Sequence, residues 1–394
     1  MERVARMSNL DEQSKDTELM TDHENERLSQ RLARLRSLLQ EQTIEAFLVT
    51  SAANRRYLSG FRGSAGALLI TRDTATIFTD FRYRTQVARQ SPHFTLRETS
   101  SEEPLPKALA ATVQDMNLQA LSFESHHVTV AQHHELIEAF EELADRDAPP
   151  ALHPVDDLGA SLREVKDPDE RDLLRQAIAI TDAAIEAVLP MLRPDQTERQ
   201  AAWMLEVAMR ERGAEAIAFP IIVAAGPNAA LPHAETSDDL LGTGRPIVID
   251  MGGRFRGYHA DMTRTVVLGE PDAHFWHIYQ TVWEAQARAV AGIRPGMSGA
   301  EADTLAREVI EAAGFGEQFG HGLGHGVGLD IHEGPRLRRS EEQTLQAGNV
   351  FSVEPGIYLE GWGGVRIEDL VLLHEHGCEV LTRTSKHPLI SPGG

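Results

Sequence analysis

Apolar residues in the first third of the chain switch between two periods. Leu28, Leu32, Leu35 and Leu39 recur at helical spacing, and Ala46-Phe47-Leu48-Val49 is a continuous run of strand length. Ala67-Leu68-Leu69-Ile70 and Thr76-Ile77-Phe78-Thr79 flank the polar Arg72-Asp73 and predict a hairpin. Phe94-Thr95-Leu96 and Ala120-Leu121-Ser122-Phe123 predict further strands, and helical spacing returns at Leu136, Ile137, Phe140 and Leu143. Asp145 to Pro154, with its prolines and charges, predicts a linker. Residues 1–25 carry too little apolar surface to fold and predict a mobile tail. The expected organisation is a tail over 1–25, an α/β domain over 26–152 and a second α/β domain over 160–390.

The second domain opens on Asp167-Pro168-Asp169-Glu170, which supplies an N-cap, a proline at the first helical position and a capping-box glutamate. A repeat follows. Arg193-Pro194 with Thr197 recurs as Arg294-Pro295 with Ser298, and each pair opens a capped helix ending at a glycine, Gly213 or Gly314. Every one of these offsets is 101 residues. Gly244 precedes Asp250 by six residues as Gly348 precedes Glu354, and a second acid follows in each half, Asp261 or Glu368. Tandem halves related by a pseudo-twofold would set Asp250 opposite Glu354 and Asp261 opposite Glu368 around one centre. His233 and His332 then become rough counterparts on its flanks.

That centre has a recognisable chemistry. Asp250, Asp261, His325, Glu354 and Glu368 offer four carboxylates and one imidazole, a donor set suited to two hard or borderline divalent ions sharing bridging carboxylates. Manganese is the first choice, with Co, Zn and Fe as alternatives. Asp250 follows the apolar strand Pro246-Ile247-Val248-Ile249, where an acid is poorly solvated without a cation. The competing readings are turn chemistry at Asp250, pairing of Asp261 with Arg264, and pairing of Glu368 with Arg366. His325 stands in Gly320-His321-Gly322-Leu323-Gly324-His325-Gly326-Val327-Gly328, too glycine-rich for a helix. No Gly-Lys-Ser/Thr follows, which argues against a phosphate loop. His126, His127, His133 and His134 sit in a polar stretch and are assigned no function.

Composition narrows the partners. Against 38 basic side chains stand 60 acidic ones, a formal net charge of −22, which repels nucleic acid and anionic lipid. No apolar run approaches the ~20 residues of a membrane span. The single cysteine, Cys378, forbids an internal disulfide and suits a reducing, cytoplasmic setting.

Residues about 217–372 resemble the catalytic domain of the proline-directed metallopeptidases, the group of aminopeptidase P and prolidase. The resemblance rests on His321-Gly-Leu-Gly-His325-Gly-Val-Gly-Leu-Asp-Ile-His332-Glu333, on Asp250 and Asp261, on Ser352-Val353-Glu354-Pro355-Gly356, and on Gly364-Val365-Arg366-Ile367-Glu368-Asp369. Asn54-Arg55-Arg56-Tyr57-Leu58-Ser59-Gly60-Phe61 resembles that group's smaller creatinase-like domain. The resemblance implies an N-terminal creatinase-like α/β domain, a pseudo-symmetric pita-bread catalytic domain and a homodimer. It implies two metal ions, with Asp250 on one, His325 and Glu354 on the other, and Asp261 and Glu368 bridging. A hydroxide between the ions would attack the scissile carbonyl, with Glu354 as proton acceptor. His233 and His332 would bind the substrate carbonyl, the intermediate or the leaving nitrogen. His321 would line the pocket for the residue after the cleaved bond, and Arg366 would position Glu368 or the substrate.

The implied substrates are short peptides with proline second, cleaved at the Xaa-Pro bond in longer peptides or in dipeptides. A dipeptidase needs a cation for the free carboxylate, with Arg55, Arg56, Arg62, Arg82 and Arg84 as candidates. Relaxed proline selectivity, a non-catalytic peptide-binding role and a two-metal phosphoesterase are the alternatives. Retention of all five ligands speaks against the metal-free creatinase pattern.

Overall fold

Four leucines on one helical face open the described part of the chain. In the computed structural model, which describes residues 22–142 and 149–390, α1 (Asp22–Glu41) buries Leu28, Leu32, Leu35 and Leu39. The tail expected over residues 1–25 lies outside the described residues up to 21, and its last four residues already belong to α1. The chain divides into two units at Leu162, each with its own core.

The first unit is a six-stranded mixed sheet in the order β4-β3-β2-β1-β5-β6. The strands are β1 (Ala46–Val49), β2 (Ala67–Thr71), β3 (Ala75–Asp80), β4 (Thr95–Thr99), β5 (Ala120–Glu124) and β6 (Ala151–Val155). β2 and β3 form the expected hairpin, with Leu68 opposite Ile77. The helices are α2 (Ala52–Ser59), α3 (Arg84–Gln90), α4 (Leu105–Asp115) and α5 (Val130–Glu142). Ser51 caps α2 by accepting from Asn54 N, and Gly60 ends it in the left-handed region at φ 76°. Leu48, Leu69, Phe78, Leu109, Val113 and Phe140 are among the core residues.

The linker reading of Asp145 to Pro154 needs correction. Residues 143–148, Leu143 included, lie outside the described residues, but Ala151–Val155 is strand β6, paired in parallel with β5 from Ala120↔Ala151 to Glu124↔Val155. A boundary at 152 would cut this strand. Proline is tolerated here because β6 is an edge strand, where Pro154 deprives no neighbour of a ladder hydrogen bond.

After α6 (Leu158–Glu164), the second unit shows the repeat directly. Its first half contains α7 (Pro168–Val188), α8 (Glu198–Glu211), β8 (Ile222–Ala225), β9 (Ile247–Met251) and β12 (Met262–Leu268). The second half contains α9 (Ala273–Gly292), α10 (Gly299–Ala312), β13 (Gly324–Gly326), β15 (Val350–Val353) and β18 (Asp369–His374). Thr197 and Gln200 close a capping box on α8, and Ser298 and Glu301 close the same box on α10. Gly244 N donates to Leu268 O and Gly348 N to Leu373 O, the same turn in each half. Each half has its own buried cluster, one containing Leu205, Ile247, Ile249 and Val266, the other Val282, Ala306, Phe351 and Val371.

Smaller strands complete the unit. β7 (Ala216–Ile217), β10 (Gly253–Phe255) and β11 (Tyr258–His259) form one sheet, and β16 (Gly356–Leu359) pairs with β17 (Gly363–Arg366). β14 (Glu333–Leu337) and β19 (Gly377–Val380) edge the second half's sheet, and β20 (Leu389–Ile390) edges the first's. Among the described residues no helix is long and apolar enough to cross a membrane.

Strand registers also locate a difference between the halves. Ala225 pairs with Ile247 and Gly326 with Phe351, so the 101-residue offset places Ala224 where the second half has His325.

Candidate metal centre

Each candidate acid stands at the end of an apolar strand or just beyond it. Asp250 lies near the end of β9, Asp261 directly precedes β12, Glu354 directly follows β15 and Glu368 directly precedes β18, while His325 is the middle residue of β13. The strands are held by buried side chains such as Val248, Ile249, Phe351, Val353 and Leu370. Their ends converge on one cavity of about 530 Å³. All nine residues singled out from the sequence line it: Asp250, Asp261, His325, Glu354 and Glu368, with His233, His321, His332 and Arg366. His126, His127, His133 and His134 lie in the first unit, where His127 faces Asp157 at 3.2 Å and His133 packs on Phe123.

Within the cavity, ligand atoms of Asp261, His325 and Glu368 lie within 4.8 Å of one another. His325 Nε2 is 3.4 Å from Glu354 Oε1 and 3.6 Å from Asp261 Oδ2. Its Nδ1 lies 3.1 Å from Gly326 O, and donation there leaves the Nε2 lone pair facing the acids. Ser352 accepts from His325 N at 3.0 Å and donates to Glu354 Oε1 at 3.0 Å.

Arg366 is the buried cation of the site. Nη2 donates to Asp250 Oδ2 at 2.7 Å, Nη1 to Tyr358 OH at 2.8 Å and Nε to Thr263 Oγ1 at 2.9 Å. The competing reading of a Glu368–Arg366 ion pair is therefore corrected: the carboxylate partner of Arg366 is Asp250, from the other half of the repeat. Arg264 does not pair with Asp261 either; it bonds Asp369 at 2.8 Å and gives its other hydrogen bonds to the carbonyls of Thr263, Glu368, Thr384 and Ser385.

Electrostatics describe an acid cluster short of positive charge. Burial, then repulsion from Glu368, Asp250 and Glu354, holds the Asp261 carboxyl well above the usual range. Glu368 is raised in the same way by burial, Glu354 and Asp250, and Glu354 is raised chiefly by burial. Burial opposes the charge on Arg366, but Tyr358 and the surrounding acids outweigh it. Burial lowers His321 and His325, and burial with the neighbouring His325 takes His332 down to about 4. His332 and His325 are in edge contact, ring centroids 4.4 Å apart.

Two oxygens here have no hydrogen-bond donor, Asp250 Oδ1 and Glu368 Oε1, although each is buried. A buried carboxylate oxygen without a donor is costly. Divalent ions taking oxygen donors and one imidazole would remove that cost, so the residues present fit a metal centre.

Three contributors went unseen in the sequence. Tyr358 OH receives Arg366 and lies 3.0 Å from His321 Nε2. Thr263 joins Arg366 to Glu368, and Arg336, exposed, lines the cavity with no ion pair among the described residues. Strand parity carries a signal for Thr263, because Asp261, directly before β12, and Thr263 and Thr265 within it alternate onto one face. Phe219, Pro220, Ile222 and Ile331 supply an apolar wall.

Tandem α/β halves around a cavity lined by four carboxylates and four imidazoles define a metal-dependent hydrolase of pita-bread architecture. The chain belongs to metallopeptidase family M24, which it matches over residues 172–375, and residues 31–165 match the Creatinase/Prolidase N-terminal domain. It is 34% identical over 363 residues to the Xaa-Pro dipeptidase of Pyrococcus furiosus, covering 92% of this chain and 100% of that protein. The solved Xaa-Pro dipeptidase from Bacillus anthracis superposes with a TM-score of 0.87 at 38% identity, covering 92% of this chain and 100% of that one. The X-Pro aminopeptidase from Thermotoga maritima superposes with a TM-score of 0.81 at 37% identity, covering 91% and 99%.

Proposed function

We propose that this chain is a two-metal exopeptidase that hydrolyses the Xaa-Pro bond of short peptides. The observation that carries the reading is the pair of donor-free buried oxygens, Asp250 Oδ1 and Glu368 Oε1, beside Asp261, His325 and Glu354 in one cavity. In this reading Asp250 serves one ion, His325 and Glu354 the other, and Asp261 and Glu368 both. Two divalent ions would supply a bridging hydroxide at neutral pH and polarise the scissile carbonyl. Manganese is the first ion to test, and the working form is taken to be a cytoplasmic homodimer.

The chain's own groups do the rest. Glu354, whose carboxyl is raised by burial, accepts the proton released on attack and passes it toward the leaving nitrogen. His332, held neutral at pH 7, donates a hydrogen bond to the oxygen on which charge develops, and His233, which lines the same cavity, is its counterpart. His321, steadied by Tyr358, lines the pocket for the residue after the cleaved bond. Phe219, Ile222 and Ile331 form a wall against which an imino-acid ring can pack. Proline leaves no N–H to satisfy there.

Arg336 favours dipeptides. Of the cations considered from the sequence, Arg55 is taken up by Gly63 O and Gly66 O, Arg82 by Asp80 and Arg84 by Glu98. Arg336 instead lines the cavity itself, available to a free carboxylate one residue beyond the cleaved bond.

The deciding experiment measures proline release from Ala-Pro and alanine release from Ala-Pro-Ala by manganese-loaded protein, with a chelated control. Chelator-sensitive cleavage of Ala-Pro is expected, and cleavage of Ala-Pro-Ala alone would reassign the chain as an aminopeptidase of longer peptides. Cleavage of neither would remove the proposal.

A further inference from the structure

Thr263 is fully buried in β12, two residues past Asp261. Its hydroxyl oxygen lies 2.9 Å from Arg366 Nε and 2.7 Å from Glu368 Oε2. A guanidinium Nε–H can only donate, so the threonine oxygen is its acceptor. The single hydroxyl proton is then committed to Glu368 Oε2. The backbone makes the same attachment, since Glu368 N donates to Thr263 O at 3.1 Å.

The other end of the guanidinium fixes Asp250, through Nη2 to Oδ2 at 2.7 Å. One oxygen of each acid is thereby occupied. The two left over are Asp250 Oδ1 and Glu368 Oε1, the donor-free pair. The arrangement thus sorts the oxygens of two carboxylates, from opposite halves of the repeat, into one bound to protein and one held open. Ser352 works by the same logic on Glu354, taking His325 N–H and giving its proton to Oε1.

We propose that Thr263 is a positioning residue of the metal centre: its hydroxyl passes the directionality of Arg366 to Glu368 and presets which glutamate oxygen faces the ions. The proposal rests on the two-ion reading. A glutamate side chain has several rotamers, and ordering it before the ion arrives removes an entropic cost from binding. Valine at this position keeps the shape but strands Arg366 Nε–H without an acceptor and Glu368 Oε2 without a donor.

The test is a calorimetric manganese titration of metal-free full-length protein, with bound metal counted by elemental analysis. Wild type, Thr263→Val, Thr263→Ser and Thr263→Ala are compared. Wild type is expected to take two ions. Thr263→Val and Thr263→Ala should bind the weaker ion on the order of 10–100-fold less tightly, the usual loss when a group supporting a ligand is removed. Thr263→Ser should stay close to wild type. The manganese needed for half-maximal activity should rise in the Val and Ala proteins, while kcat at saturating manganese recovers, a split that a purely structural role would not give.

Wild-type affinity in Thr263→Val would overturn the proposal and leave the two-ion reading standing. Should the Val protein fail to fold, the Ser and Ala pair decides: both lose the γ-methyl and only Ala loses the hydroxyl, so equal affinities overturn it. Wild type that takes up no manganese overturns the two-ion reading itself.

Discussion

The Lys166 ammonium, with no solvent-exposed side-chain surface, lies 2.7 Å from Oε1 of Glu333, the residue that follows His332. Arg163 stands 3.4 Å from the other oxygen of Glu333 and bonds Asp330 at 2.8 Å, so the loop carrying His332 is pinned by two cations. Removing one partner of a buried pair strands the other charge, at a cost of about 3–5 kcal/mol. Arg163 remains in Lys166→Met, which places the loss near the lower end. The denaturant midpoint should fall accordingly, and kcat should fall further than metal content does. An unchanged midpoint would show that Glu333 needs only Arg163.

Asp261 and Glu368 hold their protons above the ordinary 3.8 and 4.5 because they are buried beside one another and beside other acids. A carboxyl with a raised folded-state pKa binds protons more tightly folded than unfolded. Its stabilising contribution is complete below the unfolded value and is lost as pH rises through the folded one. Metal-free protein should therefore lose stability from about pH 4 upward on account of these groups, and bound ions should offset the loss. The Tm difference between manganese-loaded and chelated protein should widen between pH 5 and pH 8, with proton release on loading at neutral pH. A difference that is flat or narrows with pH contradicts this.

Glu354→Ala and Asp261→Ala each remove a proposed ligand and should lower turnover by at least about 100-fold together with metal content. His332→Ala should lower turnover by roughly 100–1000-fold with both ions retained, the range expected for a lost hydrogen-bond donor to the developing oxyanion. His126→Ala should change neither. Elemental analysis beside kcat separates the three classes, and normal turnover in Glu354→Ala is incompatible with the proposed role.

Arg336→Ala should raise KM for Ala-Pro by roughly 10–100-fold, the worth of a charge-assisted hydrogen bond, and leave Ala-Pro-Ala nearly unaffected. Equal effects on the two substrates would place the carboxylate contact elsewhere.

The four acids and the one imidazole of the candidate centre were legible because each is a charged or coordinating group set on an apolar strand end or between glycines. The repeat was legible because capping boxes and turn glycines are local signals, and these recur at Thr197 and Ser298 and at Gly244 and Gly348. Strand β6 was hidden by Pro149, Pro150 and Pro154, since an edge strand tolerates residues that elsewhere read as a linker. Thr263, Tyr358 and Lys166 were hidden for another reason. Their partners stand 103, 8 and 167 residues away, and a threonine, tyrosine or lysine acquires its role only when the fold closes that distance.

Ala224 occupies in the first half the place that His325 holds in the second. A duplicated scaffold thus ends in an unequal pair of seats. Under the proposed assignment one seat offers a nitrogen donor and the other oxygen alone, and transition ions rank such seats differently. Two ions bound there would then be held with unequal preference, so that changing the supply of metal from outside would act on one seat before the other.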